Sequence, residues 1–117
     1  MNPKELGRLG EEIAVKHLKK SKYKVITINY RCYFGEIDII AYKNNTYVFV
    51  EVKTRKDLSY GRPIEAINQK KKMHLLHTGE YYLQTKNIKD CDFRFDGIEI
   101  IMNNSKNPLI HHIVNII

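Results

Sequence analysis

Apolar residues recur three and four positions apart through the first part of the chain. Leu6, Leu9, Ile13 and Leu18, with His17 among them, mark one face. This spacing predicts a helix over residues 3–21. Pro3 suits its first turn, and Ser21 and Lys22 end it. Residues 23–30, Tyr-Lys-Val-Ile-Thr-Ile-Asn-Tyr, are β-branched and aromatic and predict a strand. Two more strands are predicted over 36–43 and 46–54. They join at Asn44-Asn45, because Asn tolerates the positive φ of a tight hairpin. Gly61, Arg62 and Pro63 break the chain. A second helix then runs from about Ile64 into the low 80s, with Ile64, Ile67, Leu75, Thr78 and Tyr82 facing inward. Phe93 to Met102 predicts a fourth strand, Asn103 to Pro108 a turn-rich loop, and Leu109 to Ile117 a last strand. The order α-β-β-β-α-β-β predicts an α+β domain, a central mixed sheet with helices packed on it. At 117 residues the chain is expected to be one domain.

Composition narrows the function classes. No run approaches the ~18 apolar residues of a membrane span, and no apolar stretch follows Met1 as in a secretory signal. The cytosol is therefore the expected compartment. Cys32 and Cys91 are far apart, which supports neither a disulfide framework nor a zinc site. There is no P-loop, no GxGxxG and no Ser-His-Asp arrangement. His17, His74, His77, His111 and His112 show no metal spacing with a carboxylate and are expected on the surface or in packing. Lys and Arg number 20 against 13 Asp and Glu, a net charge of +7. That balance suits a polyanionic partner, nucleic acid first.

The predicted hairpin gathers charge. A turn centred on Asn44-Asn45 pairs Lys43 with Thr46 and sets Asp38 opposite Glu51, with Cβ atoms about 4.5–5.5 Å apart. Lys53 shares a face with Glu51. Ile40, Tyr42, Tyr47 and Phe49 are expected on that face, and Ile37, Ile39, Ala41, Val48, Val50 and Val52 on the other. Both faces are apolar, as in a strand pair covered on both sides. Like charges directly opposite are destabilising, and burial adds to the cost unless they are paired or hold a metal. A divalent cation resolves both problems, and carboxylate oxygens are what Mg²⁺ or Mn²⁺ prefers. Two carboxylates and a Lys suit phosphodiester hydrolysis. That reaction needs an activated water, a polarised phosphoryl oxygen and charge stabilisation.

Four segments carry a resemblance. Gly10-Glu11-x-x-Ala14, Gly35-Glu36-Ile37-Asp38, Phe49-Val50-Glu51-Val52-Lys53-x-Arg55 and Arg94-Phe95-Asp96 resemble the YraN family over nearly the whole chain. That is an uncharacterised family of the PD-(D/E)XK nuclease superfamily, similar to archaeal Holliday-junction resolvases. The resemblance implies a restriction-endonuclease-like αβββαβ core and a metal-dependent endonuclease acting on DNA, branched DNA included. It implies Asp38 and Glu51 as metal ligands and Lys53 beside the scissile phosphate. Residue reading places Glu11 and Glu12 comparably at the border of the first helix's apolar stripe; the resemblance selects Glu11 as a further ligand. Ile37 stands where the superfamily motif has Pro. A homodimer is implied by analogy alone. The alternative is a non-catalytic nucleic-acid-binding module that keeps the fold.

Other basic residues are candidates for phosphate. Arg31, Arg55, Lys56 and Arg62 fall on loops or strand ends near the carboxylates and suit phosphate contacts or a solvated rim. Lys71 falls within the inward stripe of the second helix, where it either snorkels or reaches the site. Tyr30, Tyr33, Phe34 and Tyr60 flank the same region and either stack on exposed bases or pack at a core edge.

Overall fold

The structure is a computed structural model that describes residues 1–57, 68–103 and 106–117. Its elements are α1 (Pro3–Lys20), β1 (Lys24–Cys32), β2 (Gly35–Lys43), β3 (Thr46–Arg55), α2 (Gln69–Thr85), β4 (Asp92–Ile101) and β5 (Leu109–Ile113). The strands form a five-stranded sheet in the order β1-β2-β3-β4-β5. β1, β2 and β3 are an antiparallel meander. β4 runs parallel to β3 and β5 antiparallel to β4. Parallel neighbours need a long crossover, and α2 lies within it. This is the expected α+β mixed sheet, a restriction-endonuclease-like αβββαβ fold.

Local chemistry explains the boundaries. Asn2 caps α1 by accepting the Glu5 N–H at 2.8 Å, with Pro3 next, where a missing N–H costs nothing. Asn44 and Asn45 take φ of 51° and 57°, the mirror-image turn that matches strand twist. The second helix differs from expectation at its start. Asn68 is its N-cap, accepting the Lys71 N–H at 2.9 Å, so the helix begins at Gln69. Ile64 to Ile67 lie outside the described residues. Lys71 therefore belongs to the first turn of α2, not to the middle of a longer stripe. Leu75, Thr78 and Tyr82 are buried as expected. β5 stops at Ile113, short of Ile117. Asn115 takes a φ of 59°, and its N–H turns to the Asp96 carboxylate.

Each face of the sheet carries a core. On the α1 side, Ala14 and Leu18 meet Ile39, Ala41, Val48, Val50, Ile98 and Ile100. On the α2 side, Leu75 and Tyr82 meet Ile37, Ile40, Phe49 and Phe95. Each fully buried Ile or Leu contributes roughly 1.5–3 kcal/mol. Contact on the α1 side is close at Gly10, where a Cβ would overlap Thr54 Oγ1. The α1 backbone thus rests directly on the end of β3, next to Glu11.

Candidate active site

The site lies where the central strands come apart. The β2–β3 pairing runs in the expected register from Lys43–Thr46 to Ile39–Val50 and goes no further. The β1–β2 pairing also omits Asp38, stepping from Ile28–Ile39 to Tyr30–Ile37. The β1 residue between them, Asn29, has a φ of 56°, left-handed backbone that Asn tolerates better than most residues. Asp38 thus sits at a break in both ladders. Its carboxylate accepts the Val52 N–H at 2.8 Å, supplying an acceptor for a backbone donor where the ladder has ended. The break shifts the alternation of β2. Ile37 shares the α2-side core with Ile40, whereas strict alternation had placed it beside Ile39.

A cleft of about 800 Å³ opens there, lined by the N-terminal half of α1 and the ends of β2 and β3. Glu51 is buried, at 4% exposure. Lys53 Nζ lies 3.3 Å and Lys71 Nζ 3.6 Å from Glu51 Oε1. Burial, and then the neighbouring Glu51 charge, push the Asp38 carboxyl up to about 7; the Val52 N–H and Lys71 oppose the shift. Glu11 is raised as well, by burial and by the charges of Glu36 and Glu51. A cleft that disfavours its own carboxylate charge attracts a cation.

The donor chemistry fits a hard divalent ion, because Mg²⁺ commonly takes one or two protein carboxylates and completes its shell with water and phosphate oxygens. Asp38 and Glu51 are the two carboxylates that could serve as its donors. Among the described residues no group of three or more His, Cys, Asp and Glu side chains is close enough to hold a metal. Glu11 lines the cleft and adds to its field, but it does not close a three-carboxylate set with Asp38 and Glu51.

The model of an uncharacterised protein family, UPF0102, matches residues 10–100. The chain belongs to the UPF0102 family. A UPF0102 protein of Caldicellulosiruptor saccharolyticus is 52% identical over 103 residues, covering 88% of this chain and 87% of the relative. One of Alkaliphilus metalliredigens is 47% identical and covers 96% of each chain. One of Clostridium acetobutylicum is 46% identical, covering 89% and 85%. The matched span of the UPF0102 model takes in Glu11, Asp38, Glu51, Lys53 and Lys71 and stops before β5.

The basic candidates of this UPF0102 chain fall into distinct places. Lys71 reaches the site, pairing with Glu51. Arg31 lines the cleft but is held by Glu36 at 3.0 Å, with both side chains well exposed. Arg55 also lines the cleft, and its buried Nε has no hydrogen-bond partner among the described residues. Lys56 is exposed beyond the end of β3 and outside the cleft lining. Arg62 and Tyr60 lie outside the described residues. Tyr30 packs edge-on against Tyr82, with ring centroids 5.2 Å apart, as a core-edge residue. Tyr33 and Phe34 remain exposed.

Two histidines have roles that the sequence reading missed. His112 Nε2 lies 2.8 Å from the buried Asp96 Oδ2, and His111 Nδ1 lies 3.0 Å from the buried Glu99 Oε1. His17 joins the first pair through a 3.3 Å contact with His112 Nδ1. These carboxylates belong to β4 and the imidazoles to β5, so only the strand pairing brings them together. One signal was local: Arg94 and Asp96 are two apart on a strand and so share a face, where Arg94 Nε donates to Asp96 at 3.0 Å.

Proposed function

We propose that this protein is a metal-dependent DNA endonuclease that hydrolyses phosphodiesters. The observation that supports this most directly is the pair Asp38 and Glu51 at the strand break, flanked by two lysines in an open cleft. Asp38 and Glu51 would hold Mg²⁺ or Mn²⁺. When bound, such an ion polarises a phosphoryl oxygen and lowers the pKa of a water. Lys53 presents an ammonium beside Glu51, where it orients water and balances charge on the scissile phosphate. Lys71 supplies a second positive charge from α2. Arg55 lines the cleft, where its guanidinium suits a phosphate oxygen. Glu11 shapes the cleft's field from α1. A homodimer, suited to the two-fold symmetry of a junction, belongs to the same proposal.

One observation favours the alternative, a DNA-binding module without catalysis. Lys53 and Lys71 already neutralise Glu51, an arrangement that is stable without a cation. The test is cleavage of labelled junction, flap, single-stranded and duplex DNA with Mg²⁺ and with Mn²⁺, beside Asp38→Asn protein. Cutting by the wild type alone is the expected result. DNA binding without cutting by either protein would move the assignment to the binding module.

A further inference from the structure

Outside the carboxylate cleft, exposed aromatic side chains gather at one place. The β1–β2 turn carries Tyr33 and Phe34, and it lies on α2, where a Cβ on Gly35 would stand 3.2 Å from Thr78 Oγ1. The Phe34 ring meets Tyr33, His77 and Tyr81 at centroid distances of 5.4, 5.9 and 5.7 Å, at interplanar angles of 86°, 68° and 60°. Edge-to-face packing of this kind covers one face of one ring in each pair and leaves the other faces open to further contact. Tyr33 is 95% exposed, Phe34 42% and Tyr81 39%. Tyr30, four residues from Phe34, is packed into the α2-side core.

Helix α2 links the cluster to the cleft. Lys70, His74, His77 and Tyr81 are spaced by three and four residues and so form one exposed stripe of α2. Lys71, which reaches Glu51, precedes His77 by six residues, about 9 Å along the helix axis. A stacked DNA strand advances about 3.4 Å per nucleotide, so that distance is two to three nucleotides. The first turn of α2 holds no acidic residue and carries Lys70, Lys71 and Lys72. Helix stability favours acidic side chains at that end. A polyanion running along the helix favours lysines.

We propose that Tyr33 and Phe34 form a stacking platform for an unpaired base of single-stranded DNA, two to three nucleotides from the phosphate in the cleft. The proposal rests on the nuclease reading of that cleft and adds a substrate class. The preferred DNA carries a single-stranded segment, as a flap, gap or opened junction does, because duplex bases have their faces covered.

The test is fluorescence anisotropy in metal-free buffer, comparing a labelled oligothymidine with an abasic oligonucleotide of equal length. Proteins are the wild type, Tyr33→Ala, Phe34→Ala and Tyr33→Trp. The wild type should bind the base-bearing strand more tightly. Each Ala variant should lose roughly 5- to 150-fold on that strand and little on the abasic one, while Tyr33→Trp retains affinity. Equal loss on both strands, or no loss on either, would overturn the platform. So would a change of oligomeric state in sedimentation of the Ala variants, since the patch would then be a self-association face. Failure of the wild type to bind either strand would instead remove the nucleic-acid reading as a whole. Cleavage by the Ala variants with unchanged preference for single-stranded segments would sink the platform and leave the nuclease reading intact.

Discussion

Two aspartates on this sheet, Asp96 buried and Asp38 half-buried, have opposite fates. Asp96 on β4 is enclosed by donors: His112 at 2.8 Å, Arg94 at 3.0 Å and the Asn115 N–H at 3.1 Å. Burial alone would raise its carboxyl, but these bonds outweigh burial and hold it below the ordinary 3.8. Asp38 on β2 receives one backbone N–H and faces Glu51, and it is pushed up to about 7. The first arrangement satisfies its charge and stabilises the fold. The second leaves charge unsatisfied, and such clefts are where chemistry is found. Asp96 is the more buried of the two and yet is the one lowered, so the identity of the partners decides, not burial.

The comparison can be broken in several ways, and the largest effect is on catalysis. Asp38→Asn keeps the Val52 hydrogen bond and removes the charge. It should lower cleavage by about a thousandfold, the equivalent of about 4 kcal/mol of transition-state stabilisation, measured as single-turnover rate with Mg²⁺. Retention of more than a tenth of the rate would show that Asp38 takes no part. Next in size, Asp96→Asn should cost about 3 kcal/mol in urea unfolding, because it leaves His112 and Arg94 without their buried partner. A loss under 1 kcal/mol would place Asp96 outside the stabilising network.

The pH responses should run in opposite senses. Folded Asp38 keeps its proton to about pH 7, while the unfolded chain releases it near 3.8. Across that window the folded state binds more protons, so stability falls as pH rises. The Asp38 contribution should be on the order of a few kcal/mol and should vanish from the difference between wild type and Asp38→Asn. Asp96, lowered, stabilises above pH 3.8 and loses that contribution as pH falls through its folded value. Saturating Mg²⁺ at pH 8 should raise the Tm of the wild type and leave that of Asp38→Asn unmoved. Parallel curves for the two proteins from pH 4 to 7 would refute the raised carboxyl. The smallest effect is expected from Lys71→Met. Its ammonium favours the charged form of Asp38, so carboxyl NMR should show Asp38 titrating at higher pH, with stability changed by about 0.5 kcal/mol.

Much of this could be read before the structure was seen. The Asn44-Asn45 pair determined the hairpin register, since positive φ at both positions leaves little choice of turn. The spacing of Asp38, Glu51 and Lys53 then placed them at one end of one strand pair. The break at Asp38 could not be read, because it depends on the left-handed Asn29 of a neighbouring strand and moves Ile37 to the opposite core. The start of α2 was misplaced because Gly61-Arg62-Pro63 outweighed Asn68, a residue type that favours N-caps. The Asp96–His112 pair was hidden for a different reason. Its members are sixteen residues apart, and their meeting depends on β4–β5 register, for which no turn signal of the Asn-Asn kind was present.

The parallel pairing of β3 with β4 carries a consequence for how the molecule assembles. A hairpin with a two-residue turn closes in about 1–10 μs, so β2 and β3 can meet early and bring Asp38 toward Glu51. β4 joins β3 only after the whole crossover containing α2 has been looped out, with Thr46 meeting Asp92, and contacts of such separation slow folding. The two acidic groups are then neighbours while still hydrated, before β4 and α2 enclose Glu51. Their repulsion rises as the last layers dock, so a divalent cation present during refolding should accelerate the late phase more than the early one.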